Sequence, residues 1–352
     1  MVSVAKRYLQ AIPCALTLPG AWRLAGTGLG FREVAVLSRG KPPEILPLEA
    51  AAEMPDLQEA VSRIAARDDR LEGLVAADGR PAIMGIVNVT PDSFSDGGLY
   101  SDASAGIAHG MALADAGADI LDIGGESTRP GATAVPPHEE CKRVVPVIEG
   151  LRAAGCTLPI SIDTRNALTA REAIAAGAVL LNDVSAMTHD PDMARIAPKA
   201  PWLCLMHSGG DPKTMQADPR YGDVLLDIYD YLEARLEAAE ALGFARRAVL
   251  VDPGIGFGKT VPHNLALLNG LSLFHALGAP LLLGVSRKRF IHSLAGDLGG
   301  ASVAANRAPG SIAAGLWGAA QGVHVLRVHD VAETAQALAV WRALGPSDPS
   351  ET

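Results

Sequence analysis

Eight times along this chain an apolar run stops at a polar residue and a helical pattern follows. The runs cover residues 83–88, 119–124, 159–163, 178–183, 202–206, 248–252, 281–285 and 323–328. They are continuous rather than alternating, which marks parallel strands buried on both faces. Helical periodicity follows at about 102–117, 138–154, 167–176, 190–199, 223–243, 263–277, 302–320 and 331–344. Eight such units predict an α/β fold, a (β/α)8 TIM barrel over residues 81–347. A doubly wound open sheet is the structural alternative. It would usually show fewer strands and a cofactor fingerprint after the first, and no such fingerprint is present.

Residues 1–80 follow a different pattern and are expected to form an N-terminal α+β extension. Gly30 to Leu46 reads as a strand, a Gly/Pro turn and a short second strand. Leu57 to Leu74 reads as an amphipathic helix with Leu57, Val61, Ile64 and Ala65 on one face. Nothing in this stretch suggests chemistry, so it is expected to pack on the barrel or to pair barrels. Residues 348–352 are expected to be a disordered tail.

The 352 residues are 49% hydrophobic, enough for a sizeable core, and only 4% aromatic, which suits an α/β protein better than a β-sandwich. A net charge of −9 with no basic stripe argues against a nucleic-acid partner. No apolar run reaches the ~18 residues of a membrane span. The Tyr8–Leu18 stretch, broken by Gln10 and Pro13, is too short and polar for a signal peptide. The four cysteines show neither CxxC nor zinc spacing and read as free thiols in a reducing compartment. A soluble, cytoplasmic protein is expected.

In a (β/α)8 barrel the active site lies at the C-terminal ends of the strands. Those ends carry Asn88, Asp122, Asp163-Thr164-Arg165, Asn182-Asp183, Met206-His207, Asp252, Ser286-Arg287-Lys288 and Arg327-Val328-His329-Asp330. A single strand-end Asp often does no more than cap the next helix. Polar groups from all the strands turned into one mouth exceed what capping requires. Asp163, Asn182, Asp252 and Lys288 suit the amide and amino edges of a flat heterocycle, whose burial demands that those edges be paired. Arg327, His329 and Arg129 supply positive charge for a phosphate or pyrophosphate. Asn88, with Asp92 or Asp96 nearby, offers hard oxygens for Mg²⁺, an ion that leans on substrate phosphates. Together these groups point to displacement of pyrophosphate.

Two features have simpler readings. Gly254-Ile255-Gly256-Phe257-Gly258-Lys259-Thr260 looks like a nucleotide phosphate loop, but that loop needs glycine where Pro253 stands. The glycines are expected instead to let the backbone turn tightly behind Asp252. His207 has no second ligand at metal spacing and is expected to hydrogen-bond structurally.

Over residues 82 to 345 the chain resembles the dihydropteroate synthase family, the folate-pathway target of sulfonamides. Its two most specific motifs are residues 88–98, Asn-Val-Thr-Pro-Asp-Ser-Phe-Ser-Asp-Gly-Gly, and residues 124–131, Gly-Gly-Glu-Ser-Thr-Arg-Pro-Gly. The resemblance implies that Asp163, Asn182, Asp252 and Lys288 hold a pterin. It puts Arg327, His329 and Asn88 on pyrophosphate and Mg²⁺. It also implies that loops carrying Phe94, Asp96, Thr128, Arg129 and Pro130 close over a p-aminobenzoate pocket. Lys288, Arg327, Asp96 and Arg129 would be the catalytic residues. The implied reaction joins 6-hydroxymethyl-7,8-dihydropterin pyrophosphate to p-aminobenzoate in a homodimeric enzyme. Arg289 stands where the family usually has a small residue, and the extension exceeds the family's minimal pattern. A pterin-dependent methyltransferase and a non-catalytic pterin-binding paralogue are the rival readings.

Overall fold

The computed structural model describes residues 6–66, 70–75, 79–89, 99–127 (backbone only at 99–102), 134–210 and 215–344. Four antiparallel strands come first: β1 Tyr8–Ala15, β2 Trp22–Arg23, β3 Leu29–Leu37 and β4 Glu44–Pro47. Strand β3 pairs with β1 throughout and with β2 and β4 elsewhere. Helices α1 Leu48–Ala52 and α2 Gln58–Ile64 follow.

The barrel then runs β5 Ala82–Asn88, α3 Leu99–Asp115, β6 Ile120–Gly124, α4 Pro137–Ala153, β7 Ile160–Asp163, α5 Ala167–Ala175, β8 Leu180–Asp183 and α6 Met193–Ile196. It continues β9 Trp202–Met206, α7 Val224–Ala241, β10 Val249–Asp252, α8 Val261–Asn269, β11 Leu282–Gly284, α9 Arg289–Ala295, α10 Ala308–Ala320, β12 Val325–Val328 and α11 Val331–Leu344. The eight strands are parallel, in the order β10-β9-β8-β7-β6-β5-β12-β11, and a Val251–Leu281 bridge joins the two ends into a barrel. The long apolar runs are accounted for: one face of each strand fills the barrel and the other packs under the helices.

Differences from the sequence reading have local causes. Helix α2 ends at Ile64, well short of Leu74. Leu71 and Leu74 instead enter the barrel's base, where they pack with Ala82, Met84, Trp202 and Leu282. Arg70 fastens this plug by donating to the carbonyls of Ala279 at 2.8 Å and His275 at 3.3 Å. The helix expected over 263–277 breaks at Gly270, where a Cβ would come within 2.6 Å of Leu225, and it resumes as a 3-10 turn over Leu271–Leu277. Strand β1, unrecognised in the sequence, packs against that turn, and its Tyr8 ring meets Tyr229 of α7 edge-on at 5.4 Å. Helix α9 was also not foreseen. The tail at 348–352 lies outside the described residues. No helix among the described residues is long and apolar enough to cross a membrane.

The extension therefore supplies part of the barrel's core. Replacing Leu71 and Leu74 together by Ala should lower the unfolding free energy by about 4 kcal/mol or more. A urea melt checks this; an unchanged midpoint would mean that the plug adds nothing to the core.

Candidate active site

Period-two alternation sends every second strand residue inward. At the base and middle of the barrel these positions are apolar: Met84, Ile120, Leu180, Cys204, Leu250 and Val325. One step further up they become Asp122, Asp163, Asn182, Asp252 and Arg327. Adjacent strands bring Asp163 level with Asn182, and Gly284 level with Arg327. The polar layer is thus a product of strand register and rests on a dry floor.

Arg327 organises this layer. Its Nε donates to Asp122 Oδ2 and its Nη2 to Asp163 Oδ2, each at 2.6 Å. Asp122 is fully buried and also accepts from Asn182 Nδ2 at 3.2 Å. Burial pushes the Asp163 carboxyl above its ordinary range, against the opposing pull of Arg327. Its Oδ1 is buried with no hydrogen-bond partner among the described residues. A buried carboxylate oxygen left unpaired is costly, so this atom marks where a donor belongs.

Asp252 and Lys288 form the opposite wall. Asp252 Oδ1 accepts from Gly254 N at 2.7 Å. Lys288 Nζ donates to the Ile255 carbonyl and lies 4.7 Å from the Phe257 ring centroid. Burial pushes Lys288 down to about 8, while Asp252 pulls the other way. Glycines keep the space between the walls open. A Cβ at Gly284 would lie 3.7 Å from both Asp252 Oδ2 and Lys288 Nζ. One at Gly124 would lie 3.8 Å from both Asn88 Oδ1 and Asp163 Oδ2. A long side chain at either position would crowd these polar groups.

The rim is pinned as well. His329 Nδ1 sits 2.9 Å from Ser286 Oγ, and Arg287 pairs with Asp330. Arg165 grips Glu126 with Nε at 3.2 Å and Nη2 at 3.0 Å, and Glu126 also accepts from Val135 N at 3.2 Å. Glu126 thus links Arg165, which follows β7, with Val135, which precedes α4. Phe94, Asp96, Thr128, Arg129 and Pro130 lie outside the described residues. Asp183 faces its own turn, accepting from Ser185 and Met187.

The structure thus brings Asn88, Asp163, Asn182, Asp252, Lys288, Arg327 and His329 to one mouth. A family model described as pterin binding enzyme matches residues 84–329. The chain belongs to the pterin-binding enzyme family. A dihydropteroate synthase of Neisseria meningitidis serogroup B is 49% identical over 272 residues, covering 76% of this chain and 93% of that protein. The Xanthomonas albilineans dihydropteroate synthase solved with 4-aminobenzoic acid is 47% identical, with a TM-score of 0.69 over 76% of this chain and 95% of its own. The same bacterium's enzyme in complex with 7,8-dihydropteroate is 44% identical, with a TM-score of 0.68 over 78% of this chain and 97% of its own.

From the sequence alone Asp122 has no role and Arg327 is expected only at an anion. In the structure Arg327 is bound to two carboxylates, one of them Asp122. The signal was available: Asp122 precedes Gly124 by two residues and so faces inward with it. Replacing Arg327 by Met strands both carboxylates, which should cost about 3–5 kcal/mol of stability and abolish pterin binding. Chemical denaturation with a pterin titration checks this; wild-type values in the variant would remove Arg327 from the centre of the site.

Proposed function

We propose that this chain is a dihydropteroate synthase, a transferase of folate biosynthesis that condenses 6-hydroxymethyl-7,8-dihydropterin pyrophosphate with p-aminobenzoate. The observation that carries the reading is the unpaired Asp163 Oδ1, level with Asn182 on the next strand. A pterin is flat, and its 2-amino-pyrimidinone edge presents adjacent N–H donors. Asp163 would accept from that edge and Asn182 would fix its register. Asp252 and Lys288 would pair the remaining polar atoms, so that the ring is buried without loss.

Arg327 uses Nε and Nη2 on the carboxylates, which leaves Nη1 for an oxygen of the leaving pyrophosphate, with His329 beside it. Asn88 Oδ1 faces the space over Gly124, and a neutral amide oxygen is a ligand that a hard cation accepts. We assign Asn88 to Mg²⁺, which when bound would stabilise charge on the departing pyrophosphate. The C–O bond to pyrophosphate breaks first, and the arylamine nitrogen then attacks the pterin-stabilised cation and loses its proton. A neutral arylamine is already nucleophilic, so no strong general base is required. The loops with Phe94, Asp96, Thr128, Arg129 and Pro130 would close the mouth and exclude water that would otherwise trap the cation.

The assembly proposed is a homodimer through α9–α11. Leu294, Leu298, Val303, Trp317, Val340 and Leu344 are all exposed there, the kind of apolar surface that a partner covers. Sedimentation should give twice the chain mass; a monomer at micromolar concentration would exclude that interface. All four cysteines are free, which supports a reducing, cytoplasmic setting.

The purified protein, given dihydropterin pyrophosphate, should release pyrophosphate and form dihydropteroate only when p-aminobenzoate and Mg²⁺ are both present. Tight pterin binding without release would identify a non-catalytic binder and overturn the assignment.

A further inference from the structure

A second buried lysine lies behind the site and has no part in the chemistry above. Lys259 is 4% exposed. Its Nζ donates to the Phe257 carbonyl at 2.8 Å, to His207 Nδ1 at 3.0 Å and to the His207 carbonyl at 3.3 Å. An ammonium has three donors, and each of these has a close acceptor. Burial and the nearby Lys259 charge push His207 down to about 3. The ring is therefore neutral, with a lone pair on Nδ1 to accept the bond and its proton on Nε2.

These bonds join two segments that touch backbone to backbone. A Cβ on Gly254 would meet the His207 carbonyl oxygen at 1.9 Å. One on Gly258 would meet Gly209 Cα at 2.5 Å. The end of β9 and the turn after β10 are interlocked, with Lys259 as the bolt between them. The other side of that turn holds Lys288. Ile255 supplies the carbonyl that Lys288 Nζ bonds, and Phe257 supplies the ring beside it. A Cβ on Gly256 would touch Lys288 Cδ at 3.1 Å. A buried charge is a poor way to gain stability, since an apolar residue of similar volume often does as well. Burial pushes Lys259 down to about 7, while Asp252 pulls the other way; what the side chain adds is a fixed geometry for three polar partners on two segments.

We infer that Lys259 is a positioning residue for the pterin site: by bolting the 254–258 turn to His207 it sets the carbonyl and the ring that hold Lys288 beside Asp252 on that wall of the site. The inference rests on the reading that Lys288 contacts the pterin. It differs from a purely structural role because the effect of Lys259 on binding must pass through Lys288.

The test is a double-mutant cycle in the full-length chain, read by titration with dihydropterin pyrophosphate, by steady-state kinetics and by thermal unfolding. Lys259→Met should weaken pterin binding about tenfold and raise the pterin KM, while the p-aminobenzoate KM changes by less than about twofold. In a Lys288→Met background the same change should weaken pterin binding by less than about twofold, because interacting residues are not additive. Should Lys259→Met fail to fold, Lys259→Gln takes its place; it keeps two N–H donors but cannot carry charge. Equal losses in both backgrounds, or a lowered melting temperature with unchanged pterin affinity, would overturn the inference. If Lys288→Met alone left affinity unchanged, the reading of Lys288 itself would fall, an outcome distinct from failure at Lys259.

Discussion

Two carboxylates inside a barrel are tolerable only if something holds their charge. Asp122 and Asp163 face inward from neighbouring strands, and Arg327 from β12 reaches both at 2.6 Å. The rest of the site is arranged around that bridge. It lets Asp122 orient the Asn182 amide, and it occupies only one oxygen of Asp163. The other oxygen is left for a ligand. The site is thus organised by a cation that the protein itself supplies, above an apolar layer that admits little water and strengthens each interaction.

The opposite wall follows the same logic with lysines. Lys288 is held by a carbonyl and a ring from the turn after β10, and Lys259 fixes that turn from behind. Gly124 and Gly284 then matter for what they lack. Each sits where a Cβ would lie in van der Waals contact with two of the site's polar groups, so a larger side chain would crowd them. Groups mounted on strand ends and short bolted turns can be placed more accurately than groups on long loops.

At the other end of the barrel the extension is part of the same body. Leu71 and Leu74 close the base, and the His324 ring bonds Ala25 of the extension and the backbone N–H of Leu281 at once. Burial and nearby Arg70 hold His275 and His324 well below their ordinary pKa. Both rings are therefore neutral, and His324 is the spacer between extension and barrel.

The sequence by itself determined the barrel and which strand-end residues gather at its mouth. Eight continuous apolar runs admit few arrangements other than parallel strands covered on both sides, and in a barrel the polar residue ending each run must open on the same mouth. Asn88, Asp163, Asn182, Asp252, Lys288, Arg327 and His329 were legible for that reason. What the tertiary structure decided is pairing between strands distant in the chain. Arg327 meets Asp122 across 205 residues, a partnership no local pattern encodes. Lys259 looked like part of a failed phosphate loop until His207 arrived from another strand. Residues 71–74 continued a helical pattern, yet the empty base of the barrel drew their leucines inside. In each case the local signal was right about residue type and silent about partner, because partners are set by register and closure, which exist only once the barrel has formed.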